Sequence, residues 1–164
     1  MRRFLIDTNV LITAKNGPYA FDLVPKFWTE LLRFHGSGNV FSIREVRDEL
    51  MAGNDDLSDW VKRECPKPFF LKTDLVKIVE TYRQYNVWVQ GQPFRDFAKT
   101  DFARTDNADP WLIAHAEVRD MVVVTFEREE PNARRRIPIP NVCRQFGVAQ
   151  IDLYEMMREL KFHL

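Results

Sequence analysis

The run Phe4-Leu5-Ile6 leads straight into Asp7, and Thr8-Asn9 separate it from a second apolar run, Val10-Leu11-Ile12. A short, uninterrupted apolar run predicts a strand buried on both faces, as in the interior of a parallel sheet. An acid at the carboxyl end of such a strand lies where open α/β sheets place their ligand crevices. Core packing supplies no reason for a carboxylate there. Asp7 is therefore the first candidate site residue.

The remaining pattern alternates strands with helices. A short helix is expected from Val10 to Lys15, stopped by Asn16-Gly17-Pro18. Apolar residues recur at helical spacing from Phe21 to Phe34, and Asn39 to Ser42 forms a brief strand. Helices follow at Ile43 to Met51 and Leu57 to Glu64, then a small strand at Phe69 to Leu71. Leu75 to Tyr85 is helical, with Thr73 or Asp74 as its cap. Val87 to Thr105 is less regular and rich in aromatics, and reads as a helical excursion over the site. A helix from Asp109 to Val118 precedes a second buried strand, Met121 to Thr125. Glu127 to Pro140 carries three prolines and reads as a loop. One or two helical turns at Asn141 to Phe146, a strand at Val148 to Ile151 and a helix at Asp152 to Leu160 complete the chain. Asp152 and Glu155 fit a capping box. Strands alternating with helices predict an α/β fold with a parallel sheet covered on both sides. No repeat, low-complexity tract or linker interrupts residues 1–164, so a single domain is expected.

The 24 basic and 24 acidic side chains cancel, so no global field draws in a polyanion and nucleic-acid binding requires a local patch. Three apolar residues between Arg3 and Asp7 are too few for a signal-peptide core, and no run has the length of a membrane span. Cys65 and Cys143 lack metal-type spacing and read as free thiols of a cytoplasmic protein.

Three further places set acids beside buried segments. Ser42 and Glu45 fit a capping box, which gives Glu45 a structural task. Glu49 lies one turn further along the same helix face and is free for a site. In Asp106-Asn107-Ala108-Asp109-Pro110, Pro110 suits the first helical position and makes Asp109 the N-cap, with its second oxygen available to a crevice. Asp106 is three residues away, while His115 reads as packed within the helix. Thr125 and Glu127, two apart at a strand end, point the same way. Gathered acids repel unless a cation lies between them, and all-oxygen sites suit Mg²⁺ or Mn²⁺. Such ions support phosphodiester hydrolysis. The basic residues are Arg128 and the run Arg134-Arg135-Arg136, which either hold RNA phosphates or form a solvated loop. Trp88, Phe94, Phe97 and Phe102 either stack bases or pack the excursion, and packing is the expectation.

The order of these motifs resembles the PIN-domain family, and within it a PIN-like prokaryotic group with glutamate in the fourth motif followed by Ile-Pro-x-Val-Cys. Here they are Ile6-Asp7-Thr8-Asn9-Val10-Leu11, Glu49-Leu50, Asp109-Pro110-Trp111-Leu112-Ile113-Ala114-His115-Ala116 and Val123-Val124-Thr125-Phe126-Glu127, with Ile139 to Cys143 last. The resemblance spans nearly the whole chain. It implies a three-layer α/β/α Rossmann-like domain and a Mg²⁺- or Mn²⁺-dependent ribonuclease. It also implies the toxin of a toxin–antitoxin pair, with a small antitoxin partner and often a homodimer. By position, Asp7, Glu49 and Asp109 would bind metal, with Thr8, Asn9 and Thr125 in support. Glu127, or Asp106 in its stead, would complete the site.

Two other functions remain open at this point. A haloacid-dehalogenase-like phosphatase also begins with a strand ending in aspartate, but wants a second aspartate where Asn9 stands. A non-catalytic PIN-fold binding module would have no use for the acids.

Overall fold

The computed structural model describes residues 1–164. Five strands, β1 (Phe4–Ile6), β2 (Val40–Ile43), β3 (Phe70–Leu71), β4 (Val122–Val124) and β5 (Gln150–Ile151), form one sheet in the order β3-β2-β1-β4-β5. Every pairing is parallel. β1 lies in the middle, with Leu5 opposite Phe41 of β2 and Val123 of β4. Its three residues, Phe4, Leu5 and Ile6, are completely buried. That double-sided burial is why the strand reads as a solid apolar run.

Nine helices flank the sheet: α1 (Thr8–Asn16), α2 (Pro25–Gly36), α3 (Arg44–Ala52), α4 (Asp56–Arg63), α5 (Val76–Gln90), α6 (Asp96–Phe102), α7 (Ala108–Arg119), α8 (Ile139–Phe146) and α9 (Leu153–Leu160). Chain order runs outward from β1 in both directions. Right-handed crossovers therefore put α1 to α4 on one face and α5 to α8 on the other. Aromatic contacts match this division. Trp28 of α2 meets Trp60 of α4 at 4.9 Å, whereas Tyr82 of α5 stacks on Trp111 of α7 at 3.8 Å. The result is the expected three-layer α/β/α arrangement. The reversal of strand order between β1 and β4 opens a crevice beyond their carboxyl ends.

Several boundaries differ from expectation, each for a local reason. α2 starts at Pro25 rather than Phe21, because proline loses nothing at the first helical position but would clash with the carbonyl four residues back further in. Ser42 is a strand residue and makes no capping box with Glu45. Its hydroxyl instead donates to the Ile6 carbonyl at 2.7 Å, tying β2 to β1. α5 is capped at Leu75, not Thr73 or Asp74, and continues through Gln90, so the aromatic excursion shrinks to a turn and α6. Asn107, not Asp109, caps α7, with its side chain accepting from the Asp109 amide at 3.1 Å. Pro110 sits third in that helix, still within the first turn where amides need no partner. The 3-10 turn Lys67–Phe69 takes Phe69 out of β3, and β5 keeps only two residues of the expected four. The capping box of α9 forms: Asp152 accepts from the Glu155 amide at 2.8 Å and Glu155 from the Asp152 amide at 2.9 Å.

One hydrophobic core runs through both layers, and Cys65 and Cys143 are free thiols, the latter buried in that core. No helix is long and apolar enough to cross a membrane. Since Leu5 is fully buried at the centre of the sheet, Leu5→Ala should cost about 2–5 kcal/mol of stability in urea titrations. Val87→Ala, at a position 75% exposed, should change it by less than about 0.5 kcal/mol.

Candidate functional site

Asp7 is the residue with which β1 ends and α1 begins. Its amide donates to the Val124 carbonyl at 3.0 Å, continuing the β1–β4 ladder one step past the strand. The side chain does not cap α1 and is only 1% exposed. Oδ2 accepts a hydrogen bond from Thr125 Oγ1 at 3.2 Å, while Oδ1 is buried with no protein partner. Thr125 is itself held by its amide bond to the Ile151 carbonyl and accepts the Glu127 amide on its hydroxyl. A buried carboxylate oxygen without a donor is costly unless something else satisfies it.

Glu49 reaches the same end of the sheet from α3. Oε2 accepts from Thr8 Oγ1 at 2.7 Å and Oε1 from the Ala108 amide at 3.0 Å. It thereby joins the starts of α1 and α7, the second through an amide that no helical carbonyl can satisfy. Asp109, one residue further into α7, is half-buried beside it. The carboxyls act on one another. Burial first, and then Asp109 and Glu49, push the Asp7 carboxyl well above the usual aspartate range, against the opposing Thr125 bond. Burial and then Glu49 push Asp109 up as well, with Asp101 adding to the rise and Arg136 opposing it.

The fourth acid is occupied differently. Glu127 Oε2 accepts from the Ile139 amide at 3.3 Å, capping α8, and its Oε1 forms an ion pair with Arg136. Glu127 lines a cavity of about 380 Å³ together with Asp7, Asn9, Arg128 and Arg136. A second cavity of about 510 Å³ is lined by Asp109, Asn107, Asp101, Phe97 and again Arg136. The structure thus brings Asp7, Glu49, Asp109, Thr8 and Thr125 to one end of the sheet, with exposed Asn9 and Arg128 at its rim. Asp106 stands apart: its exposed carboxylate pairs with Arg104 at 3.1 Å.

Other candidates have structural partners. Thr73 links His115 Nε2 (3.2 Å) to Glu45 Oε1 (2.9 Å), and Arg119 donates to His115 Nδ1. Burial pushes His115 down to about 4, so it stays neutral within the helix. Phe102 is buried, while Trp88 and Phe94 pack partly buried against the core, as expected. Phe97, 56% exposed, does not pack that way and faces Arg135 instead. The charges of Arg136 and Asp101 on Asp109 were not singled out from the sequence. Arg136 was one of three equivalent arginines in a loop, and no local pattern marks which of them folds back.

The donors fit a hard divalent cation in type, being carboxylates with one unpartnered buried oxygen. No three acidic, histidine or cysteine side chains approach closely enough to enclose an ion unaided. Asp7, Asp109 and Glu49 are the carboxylates that could hold the ion; each Glu49 oxygen already accepts one hydrogen bond and keeps a further lone pair.

The raised Asp7 carboxyl makes a signed prediction. A carboxyl lifted in the folded state binds more protons there than when unfolded, so metal-free stability falls as pH rises from the unfolded value toward about 8. Asp7→Asn should remove that slope. Without divalent ions the variant should gain about 1–3 kcal/mol on wild type at pH 8.5 and much less at pH 5, read from urea unfolding at both pH values.

Comparison with solved structures finds FitAcB from Neisseria gonorrhoeae, with a TM-score of 0.55 and 17% identity over 90% of this chain and 96% of that one. At that identity the likeness concerns the fold, and it agrees with a PIN-like, Rossmann-type α/β arrangement. No curated protein matches the sequence. The model of one family, described as a domain of unknown function (DUF4411), matches residues 4–164. The chain belongs to the DUF4411 family.

Proposed function

We propose that this protein is a divalent-metal-dependent endoribonuclease, the toxin of a toxin–antitoxin pair. The observation that carries the reading is Asp7, a carboxylate buried at the strand-order reversal with one oxygen unpartnered and two further acids acting on it. Bound there, Mg²⁺ or Mn²⁺ would lower the pKa of an attacking water and stabilise the oxygen that leaves. Asp7 and Asp109 would hold the ion, and Thr125 fixes the Asp7 carboxylate through Oδ2, leaving Oδ1 without a protein partner. Glu49 contributes negative charge and fixes the geometry of Thr8 and α7 around the crevice. Glu127, which lines the same cavity as Asp7, would act on such an ion through water. Arg128, exposed on the rim, contacts the RNA backbone.

The haloacid-dehalogenase-like alternative needs an accessible nucleophile and a second acid two residues on. Asp7 is 1% exposed and Asn9 is an amide, which favours the nuclease. The DUF4411 match leaves activity undefined, and the fold likeness to FitAcB adds support at the level of architecture. A small antitoxin partner and a homodimeric state belong to the same reading, and both are open to light scattering of the chain alone and co-expressed with its neighbouring reading frame.

Cleavage of single-stranded RNA should require Mg²⁺ or Mn²⁺, stop in excess chelator and fall by at least ~100-fold in Asp7→Asn. Thr125→Val, which frees the Asp7 carboxylate, should lower Mn²⁺ affinity by roughly 10- to 100-fold with the fold intact by circular dichroism. Undiminished cleavage by Asp7→Asn would refute the assignment.

A further inference from the structure

Arg136 has no role in the chemistry described above, yet it lines both cavities beside the acids. It forms the ion pair with Glu127 Oε1 and lies close enough to Asp109 to act on that carboxyl. Its position is built into the loop before α8. The Arg95 amide donates to the Arg134 carbonyl at 2.8 Å, and Arg134 Nη1 donates to the Pro93 carbonyl at 3.2 Å. On the other side Ile137 is buried, and the next residues lead into α8, whose first amide is capped by Glu127. Held at 134 and 137, the backbone brings the Arg136 side chain beside Glu127.

We propose that Arg136 is a resident counter-cation that competes with the divalent ion for this crevice and so sets the ion's affinity. The inference rests on the reading that Asp7 and Asp109 bind such an ion. Positive charge beside clustered carboxylates favours their ionised form, and in the protein alone the Arg136 guanidinium supplies it to Glu127 and Asp109. The side chain of Arg136 is 55% exposed, so solvent screens the pair with Glu127 and little holds it in place. A doubly charged ion interacts with the same carboxylates more strongly and displaces it. Because Arg136 lines both cavities, its withdrawal opens space beside Asp7 and Glu127 and beside Asp109. Glu127, released from its ion pair but still capping α8, is then free on one oxygen to accept a metal-bound water.

The test is calorimetric titration of the full chain with Mn²⁺ alone, without RNA. Wild type is compared with R136Q, R136M, R136K and R144Q, the last breaking an exposed ion pair to Glu129 away from Asp7 and Asp109. Removing the charge in R136Q and R136M should tighten Mn²⁺ binding by roughly 3- to 10-fold. R136K retains the charge and should stay within about twofold of wild type, as should R144Q. Binding by R136Q and R136M that equals or falls below wild type overturns the role of Arg136 and leaves the metal site standing. Equal tightening in R136K also overturns it, because packing rather than charge would then be responsible. Absence of Mn²⁺ binding by all five proteins overturns this inference together with the metal-dependent reading.

Discussion

The pairing of β1 with β4 is the contact on which the site depends. It places the carboxyl ends of two fully buried strands side by side where strand order reverses, so whatever follows each strand meets across the crevice. Asp7 follows one and Thr125 the other, and a single hydrogen bond joins residues 118 positions apart in the chain. The same burial that makes the strands strong makes the carboxylate expensive to ionise. Fold stability and site electrostatics are here two effects of one placement.

Around that pair, polar groups divide between holding helices and facing the crevice. Glu49 uses both oxygens to join α1 and α7, so the carboxylate is fixed in place with one hydrogen bond to each oxygen. Glu127 caps α8 with one oxygen and pairs with Arg136 through the other. Asp7 Oδ1 is buried without a donor. The arrangement differs from a closed cage of carboxylates. It is an acidic crevice in which crowding of the carboxyls is relieved by raised proton affinity at Asp7 and Asp109 and by the guanidinium of Arg136.

Much of this was legible in the chain. The buried runs at Phe4 and Val122 identify the central strands because burial on both faces removes the alternation of an exposed strand. The order of Asp7, Glu49, Asp109 and Glu127 predicted acids at one end of the sheet, and the first three act on one another there. Capping was read less well. Ser42 and Glu45 have the spacing of a capping box, but β2 runs on to Ile43 and draws the serine into the sheet. Asp109 precedes a proline, as an N-cap often does, yet Asn107 takes that place because the helix begins two residues earlier. Both errors arise from choosing between local hydrogen-bond partners when the deciding partner is distant in sequence.

The sequence by itself determined the layers: apolar runs and helical periodicity are local consequences of burial, and they dictate an α/β sheet with an acid at the end of its central strand. Only the tertiary structure decided which charges meet there. It put Asp106 out in solvent with Arg104, gave Glu49 two donors, and chose Arg136 from three adjacent arginines to pair with Glu127. Those outcomes depend on where loops end in space. Electrostatic interactions between side chains distant in sequence leave no local signature in the chain.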